Sequence, residues 1–268
     1  METEKSKNKE RKKDIILKGD FLDLSKNLPD KSFSLAILDP PYNVGADDWD
    51  NVPDYLNWLI KVVKETRRLL KDDGSIYLWG MSKNNDFLKI KLWMDDNLDF
   101  EFKNWIVWVH DVKIHKKLSD RYLTKHEDLL FYSGKNSTFN QVRDDPPEFQ
   151  LKMHKGKFDE NFFVKKENLF PSQQEIFKNG LQLGSPAKSW WKGPANKSTS
   201  KIYKNFMGYK SEWVSERIIN VSSNVGDNIL IPFAGTGTEC VSAKNLNRNY
   251  WSCEIDKERC KLAKDRVK

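Results

Sequence analysis

Apolar positions fall in short clusters, and their spacing alternates between the period of a strand and that of a helix. Residues 15–17 predict a short strand ending at Gly19-Asp20, and residues 34–38 a stronger one that stops at Asp39-Pro40-Pro41-Tyr42. Two consecutive prolines cannot continue a ladder, so Asp39 to Tyr42 must form a loop at the strand's C-terminal end. After Pro53-Asp54, the apolar positions Leu56, Leu59, Ile60, Val63 and Leu70 have helical spacing, with Gly74 as the expected stop. A strand follows at 75–79, a helix near 87–94, and strands near 105–109 and 129–132. Residues 140–204 change character: Lys, Asn, Ser, Pro and Gly dominate and periodicity is weak, although Trp190-Trp191 and the Phe-rich stretch 158–170 indicate some packing. Regular patterning resumes with a helix around 213–221 and a strand at 228–231. The glycine turn Phe233-Ala234-Gly235-Thr236-Gly237 leads into a helix through Ala243. A strand at 250–253 ends in Glu254, and a last helix runs from Lys257.

Strands alternating with helices imply an α/β fold: a doubly wound, mostly parallel sheet with helices on both faces. Ligands of such sheets bind in the crevice beyond the carboxyl ends of the strands. Asp39–Tyr42, Phe233–Gly237 and Glu254 are all expected at those ends. The expected organisation is a solvated tail over 1–13, a catalytic domain from 14–139 and 205–268, and a variable insertion over 140–204.

Composition narrows the class. The chain has 268 residues, 12% aromatics and ten tryptophans, which argues against disorder over most of its length despite a mean hydropathy of -0.74. No apolar run approaches a membrane span, and the mixed-charge N-terminus has no signal-peptide core. A net charge of +7 suits a polyanionic partner without requiring one. Cys240, Cys253 and Cys260 lack CxxC spacing and are odd in number, which points to a reduced, cytoplasmic protein. His110, His115, His126 and His154 form no metal-ligand pattern, so no metal is expected. The basic segments Lys113-Ile114-His115-Lys116-Lys117 and 197–204 read equally as phosphate-tracking or as solvated loops.

The glycine turn lets backbone approach a ligand, and the helix after it offers free N–H groups. Glu254 stands at the end of the next strand, where nucleotide-binding folds place the carboxylate that grips ribose hydroxyls. The pair therefore favours a nucleoside cofactor over an ordinary turn and a strand-end acid. In Asp39-Pro40-Pro41-Tyr42, the Asp39 carboxylate and the Pro40 carbonyl form a pair of acceptors suited to both hydrogens of a ring-bound amino group. Drawing that nitrogen's lone pair out of conjugation and stabilising the charge that develops on it is electrostatic preorganisation. Tyr42 offers a flat face to an extruded base, a contact worth about 1–3 kcal/mol. A Pro-rich turn capped by Asp is the alternative reading of the motif standing alone.

Taken together, these blocks resemble the amino-methylating (N6-adenine/N4-cytosine) DNA methyltransferases in their permuted "beta" arrangement. Gly19-Asp20 and Asp39-Pro40-Pro41-Tyr42-Asn43-Val44-Gly45 come first, Phe233 to Thr238 and Glu254-Ile255-Asp256 last. Between them, Trp108…Arg121…His126-Glu127…Leu130-Phe131-Tyr132 is similar to the family's W…R…HE…L-[FW]-[YF] stretch. The resemblance implies a seven-stranded sheet, S-adenosylmethionine as cofactor and DNA as substrate; a homodimer stays open. It further implies target contacts from Asp39, Pro40, Pro41 and Tyr42. Phe233, Gly235, Thr236, Gly237 and Thr238, with Asp39, would line the methionine end of the cofactor; Asp20 would hold its adenine and Glu254 its ribose. Asp at position 39 leans toward adenine N6, with N4-cytosine methylation, RNA as substrate, or a catalytically silent DNA-binding subunit as rivals. Two positions depart from the family pattern. Ile231 stands where the family has Asp, and Gly208-Tyr209-Lys210-Ser211 is the nearest match to its H-P-T-x-K-P stretch.

Overall fold

The computed structural model describes residues 14–45, 50–109, 122–144, 163–165, 181–182, 185–186, 188–192 and 210–268. The N-terminal tail, the 113–117 and 197–204 basic segments, Arg121, and His110, His115 and His154 lie outside them.

Two compact units divide the chain: residues 1–140 with 190–268, and residues 141–189. In the larger unit the order is β1 (Ile15–Lys18), α1 (Phe21–Leu24), β2 (Phe33–Leu38), α2 (Tyr55–Leu69), β3 (Leu70–Gly80), α3 (Asn85–Asn97), β4 (Glu101–Val109) and β5 (His126–Ser133). The smaller unit holds β6 (Arg143–Asp144), β7 (Phe163–Val164), β8 (Leu181–Gln182) and β9 (Ser185–Pro186), paired antiparallel as β6 with β9 and β7 with β8. The larger unit resumes with β10 (Trp190–Lys192), α4 (Glu212–Ser222), β11 (Asn228–Ile231), α5 (Thr238–Asn245), β12 (Asn249–Glu254) and α6 (Lys257–Arg266).

One sheet runs β1-β12-β11-β2-β3-β5-β4-β10. It is parallel from β1 through β3 and between β4 and β10; β5 is antiparallel to both its neighbours. The sheet has eight strands rather than the expected seven. The eighth is the Trp190-Trp191 segment, whose backbone pairs with Val107 to Val109 of β4. Its three residues are too few to show a period within a weakly patterned stretch.

Strand side chains alternate between two cores, as the pleat requires. Leu35, Ile37, Tyr77, Trp79, Ile229 and Ile231 pack with Val214, Ile218 and Ala243 of α4 and α5. Ala36, Leu38, Ile76, Leu78 and Leu230 face Leu59, Val62, Val63 and Ile90 of α2 and α3 on the other side. Both faces are therefore covered, which is why these strands read as near-continuous apolar runs.

The helix α2 ends at Leu69, earlier than the expected stop at Gly74. Leu70 is already extended and pairs with Phe33 of β2, and the register then shifts before Leu35 pairs with Ser75. Gly74 lies within β3, where an added Cβ would come 2.9 Å from the Lys71 carbonyl oxygen. Strand pairing, not glycine, terminates the helix.

Strand order reverses at the junction of β11 and β2. The chain leaves β2 toward β3 on one side and β11 toward β12 on the other. A crevice opens at such a switch point beyond the carboxyl ends of the strands. Asp39 follows β2 there, and the glycine turn follows β11.

Candidate active site

At this junction lies a cavity of about 760 Å³. Asp39, Pro40, Pro41 and Tyr42 line it from one side; Phe233, Gly235 and Thr236 from the other; Asp20 and Glu254 complete the wall.

The loop after β2 is held by its own acceptors. Asp50, buried to 1% exposure, accepts from the Asn43 and Val44 amides at 2.8 Å each, and Asn43 turns the chain with φ +52°. The Tyr55 hydroxyl donates to the Pro41 carbonyl at 2.7 Å, and the Asn84 amide donates to that of Tyr42 at 2.8 Å. The Pro40 carbonyl keeps its lone pairs unclaimed among the described residues.

Asp39 belongs to a cluster drawn from three distant segments. The buried Lys210 ammonium donates to Asp39 Oδ1 at 2.8 Å and to Glu127 Oε2 at 2.9 Å. It also donates to the Tyr42 hydroxyl at 2.8 Å. That hydroxyl lies 2.9 Å from Asp39 Oδ1 and 2.8 Å from Glu127 Oε2; with a single hydrogen it donates to one carboxylate at a time. Lys210 also sits 5.1 Å from the Tyr42 ring centroid and 5.0 Å from that of Trp79, within cation–π reach. One ammonium is thus shared by two carboxylates. Burial opposes the Lys210 charge, but Asp39 and Glu127 outweigh it and hold the ammonium above its ordinary pKa. Burial lifts the Asp39 carboxyl above the usual carboxylate range, with Lys210 restraining the rise and Glu127 adding to it. The Tyr42 phenol is raised by burial and by the same two carboxylates, so it stays protonated.

On the opposite wall, Gly235 (φ +51°) and Gly237 (φ +85°) turn the chain from β11 into α5. The Glu254 carboxylate accepts from the Gly235 amide at 2.8 Å through one oxygen and from the Asp256 amide at 2.9 Å through the other. Each oxygen keeps a second lone pair without a partner among the described residues, and the side chain lines the cavity. Burial raises the Glu254 carboxyl above its ordinary value, the two amides opposing the rise. Asp20 caps α1 by accepting from the Leu22 amide at 2.7 Å through Oδ1 alone. The Phe233 ring lies 6.4 Å from Phe21 and 5.8 Å from Trp58, giving this end of the cavity an aromatic floor.

Nine of the eleven residues singled out from sequence line this one cavity; Gly237 and Thr238 do not. A Cβ on Gly237 would meet Ala263 of α6 at 2.9 Å, so this glycine lets two helices approach. Thr238 is 1% exposed, and its hydroxyl accepts from Arg266 at 3.1 Å. Arg266 also donates to the Thr236 carbonyl at 2.8 Å, which clamps the turn from behind. Ile231 is buried in the core beneath the turn, at 1% exposure.

Among the cavity residues outside the sequence-based choice are three buried or half-buried charged side chains around Asp39 and the glycine turn: Glu127, Lys210 and Glu239. Glu127 stood in the His-Glu pair, a signal too short to assign a role. Lys210 is preceded by residues without periodicity. Glu239 reads as a helix-dipole acid in a first turn, where most are solvated. His126 is 3.4 Å from the Ser82 hydroxyl and 3.9 Å from Asp128. No cluster of metal-ligand residues occurs among the described residues, and Cys240, Cys253 and Cys260 are free and buried. No described helix is long and apolar enough to cross a membrane.

These groups match the needs of a nucleoside cofactor with an amino-acid tail. Aromatic rings and two carboxylates, Asp20 and Glu254, lie at one end, and a polar cluster at the other. The residues present fit such a molecule.

A family model for N6/N4 methyltransferases, described as "DNA methylase", matches residues 33–265. The chain is 31% identical over 251 residues to the type II methyltransferase M1.MboII of Moraxella bovis, covering 89% of each. It is 30% identical over 262 residues to the type II methyltransferase M.BamHI of Bacillus amyloliquefaciens. That alignment covers 94% of this chain but 56% of M.BamHI, so the chain spans little more than half of that relative. In fold it is similar to the crystal structure of an M1.HpyAVI–SAM complex, with TM-score 0.62 at 21% identity, over 94% of this chain and 98% of the other.

Proposed function

The chain belongs to the N6/N4 family of DNA methylases, and on that premise we propose that it transfers a methyl group from S-adenosylmethionine to the N6 amino group of adenine in a base turned out of duplex DNA. The observation that carries this reading is the pair of acceptors beside the glycine turn. Asp39 Oδ2 and the Pro40 carbonyl have no partner among the described residues, while the acceptors around them are taken.

When bound, S-adenosylmethionine supplies an electrophilic methyl group on a sulfonium. The chain's residues orient the other reactant. Asp39 and Pro40 accept the two amino hydrogens, which aligns the nitrogen lone pair toward the glycine turn. As the nitrogen attacks, positive charge grows on it; the Asp39 carboxylate stabilises that charge without reorganising, and the surplus amino proton leaves through it to solvent. Lys210 and Tyr42 hold Asp39 Oδ1, so the carboxylate enters the reaction already oriented. Proximity then contributes most of the acceleration. The Tyr42 ring, fixed by its hydroxyl, stacks on the base and offsets part of the few kcal/mol that base extrusion costs. Phe21, Phe233, Asp20 and Glu254 hold the nucleoside of the cofactor.

Asp at position 39 supports adenine as the base, and the net charge of +7 suits DNA. Residues 140–204 are the segment proposed to read the target sequence. The test is transfer of labelled methyl to duplex DNA and to total RNA, followed by nucleoside analysis. Labelled N6-methyladenine from DNA is the expected product. Labelled N4-methylcytosine would reassign the base, label in RNA alone would reassign the substrate, and no transfer by protein that binds the cofactor would leave a silent subunit.

A further inference from the structure

Glu239 is a buried carboxyl that takes no part in holding the base or the nucleoside. It stands in the first turn of α5, 5% exposed, and lines the cavity beside Gly235 and Thr236. Its contact with protein is weak: the Ser215 hydroxyl lies 3.4 Å from Oε1, at the limit of a hydrogen bond. Among the described residues it makes no ion pair. Burial, and then the charge of Asp39, push its pKa up to about 7.

The surroundings define what would satisfy it. Seven acidic side chains line the cavity against two basic ones, Lys210 and Arg259, in a protein of net charge +7. Lys210 is engaged by Asp39 and Glu127. Lys210 and Arg266 only moderate the rise in the Glu239 pKa, so Glu239, unlike Asp39, has no ion-pair partner of its own among the described residues. Ile231, at the strand end below the turn, is buried and apolar and supplies no acceptor. Glu239 follows the glycine turn in the same cavity and lies near Asp39, so a ligand extending from the aromatic end past that turn would bring its far, aliphatic end toward it.

We propose that Glu239 is the acceptor for the primary ammonium on the amino-acid end of the cofactor, the part of that site not served by Asp20, Phe233 or Glu254. This rests on the S-adenosylmethionine reading above. An ammonium brings three donors and a compact charge, and a carboxylate facing it out of water meets both needs. Pairing also relieves the repulsion between Glu239 and Asp39, so ligand binding is coupled to the cost of burying this acid.

The test is calorimetric, with the whole protein and three non-reacting ligands: S-adenosylhomocysteine, its analogue lacking the α-amino group, and methylthioadenosine, which lacks the whole amino-acid end. Glu239→Gln keeps the side-chain shape. We expect it to weaken S-adenosylhomocysteine about 10- to 100-fold, as loss of a charge-assisted bond does, and to leave methylthioadenosine within twofold. On the wild-type protein, the deaminated analogue should bind as weakly as S-adenosylhomocysteine binds to Glu239→Gln, and that variant should weaken it no further. Equal losses for all three ligands, or no loss for any, would overturn the assignment. If Glu239→Gln does not fold, the wild-type comparison decides alone: an amino group whose removal costs nothing rules Glu239 out. A wild-type protein that binds neither S-adenosylhomocysteine nor methylthioadenosine would instead overturn the cofactor reading, and this inference with it.

Discussion

Lys210 Nζ donates to Asp39 Oδ1 at 2.8 Å, joining the loop after β2 to the segment that precedes α4. The bond matters because Asp39 is buried, and a buried carboxylate without a partner would take up a proton and cease to be an acceptor.

Removing that partner should move the pH profile. Asp39 must be ionised to accept an amino hydrogen, and burial already holds its pKa above the usual range. Activity should therefore fall on the acid side, at a pH above that of an ordinary aspartate. Lys210→Met removes the compensating charge, so the acid limb of kcat should shift to higher pH. The variant should also lose about 3–5 kcal/mol of stability, the cost of leaving buried carboxylates uncompensated. Single-turnover methylation across pH, with denaturant melts, checks both; an unmoved acid limb contradicts the role given to Lys210.

Tyr42 has two separable contributions, and two substitutions divide them. Tyr42→Phe keeps the ring and deletes the hydroxyl that bridges Asp39, Glu127 and Lys210. Tyr42→Ala deletes both. Tyr42→Ala should lower kcat/KM for DNA by an extra factor of about 5 to 150 relative to Tyr42→Phe, matching about 1–3 kcal/mol of stacking. Cofactor binding should change less than activity in both. Equal loss of binding and activity in Tyr42→Ala would contradict the stacking role.

Glu254 both shapes the glycine turn and lines the nucleoside end of the cavity. Glu254→Gln keeps one carbonyl acceptor but loses the charge and the second acceptor shared with the Gly235 and Asp256 amides. Cofactor affinity should drop about 10- to 100-fold, since hydrogen bonds to charged groups contribute about 1.5–3 kcal/mol. Titration calorimetry with S-adenosylhomocysteine gives the answer directly.

Stability should depend on Glu239 in a defined direction. Its carboxyl is raised to about 7 in the fold from 4.5. Below about pH 4.5 both folded and unfolded states hold the proton, and the burial carries no charge penalty. As pH rises toward 7 the unfolded chain releases the proton first, and the fold loses stability; above 7 the loss is complete. Glu239→Gln should therefore be more stable than wild type at pH 8, by on the order of 3 kcal/mol, with the difference vanishing near pH 4. Urea melts at the two pH values measure it, and a constant difference would refute the shift.

Gly237 adopts φ +85° with an added Cβ 2.9 Å from the Ala263 backbone. Gly237→Ala should destabilise the fold by about 1–3 kcal/mol through backbone strain and overpacking. Gly235→Ala has open space around its Cβ, so its cost is confined to the left-handed backbone at φ +51°. Thermal unfolding of the two variants should rank them in that order.

The chain's own pattern determined the parallel core of the fold and the three strand-end stretches that meet at the cavity. Residues 34–38, 228–231 and 250–253 are apolar runs bounded by turn formers, so strand existence and strand ends were local properties. Because Asp39, Gly235 and Glu254 stand just past those ends, the rule that parallel sheets bind ligands there brought them together without coordinates. What only the tertiary structure decided has one cause: it depends on partners far away along the chain. The end of α2 at Leu69 was set by pairing with Phe33, and the eighth strand exists because β4 offered an edge to Trp190. Thr238 has the composition of a ligand contact, yet its hydroxyl faces Arg266. In sequence, Lys210 stands only in a weak match to the family's H-P-T-x-K-P stretch, and Glu239 is an acid in a helix's first turn. Burial against Asp39 and the glycine turn, a property no local window contains, makes one the keeper of a carboxylate and the other a buried acid facing the cavity.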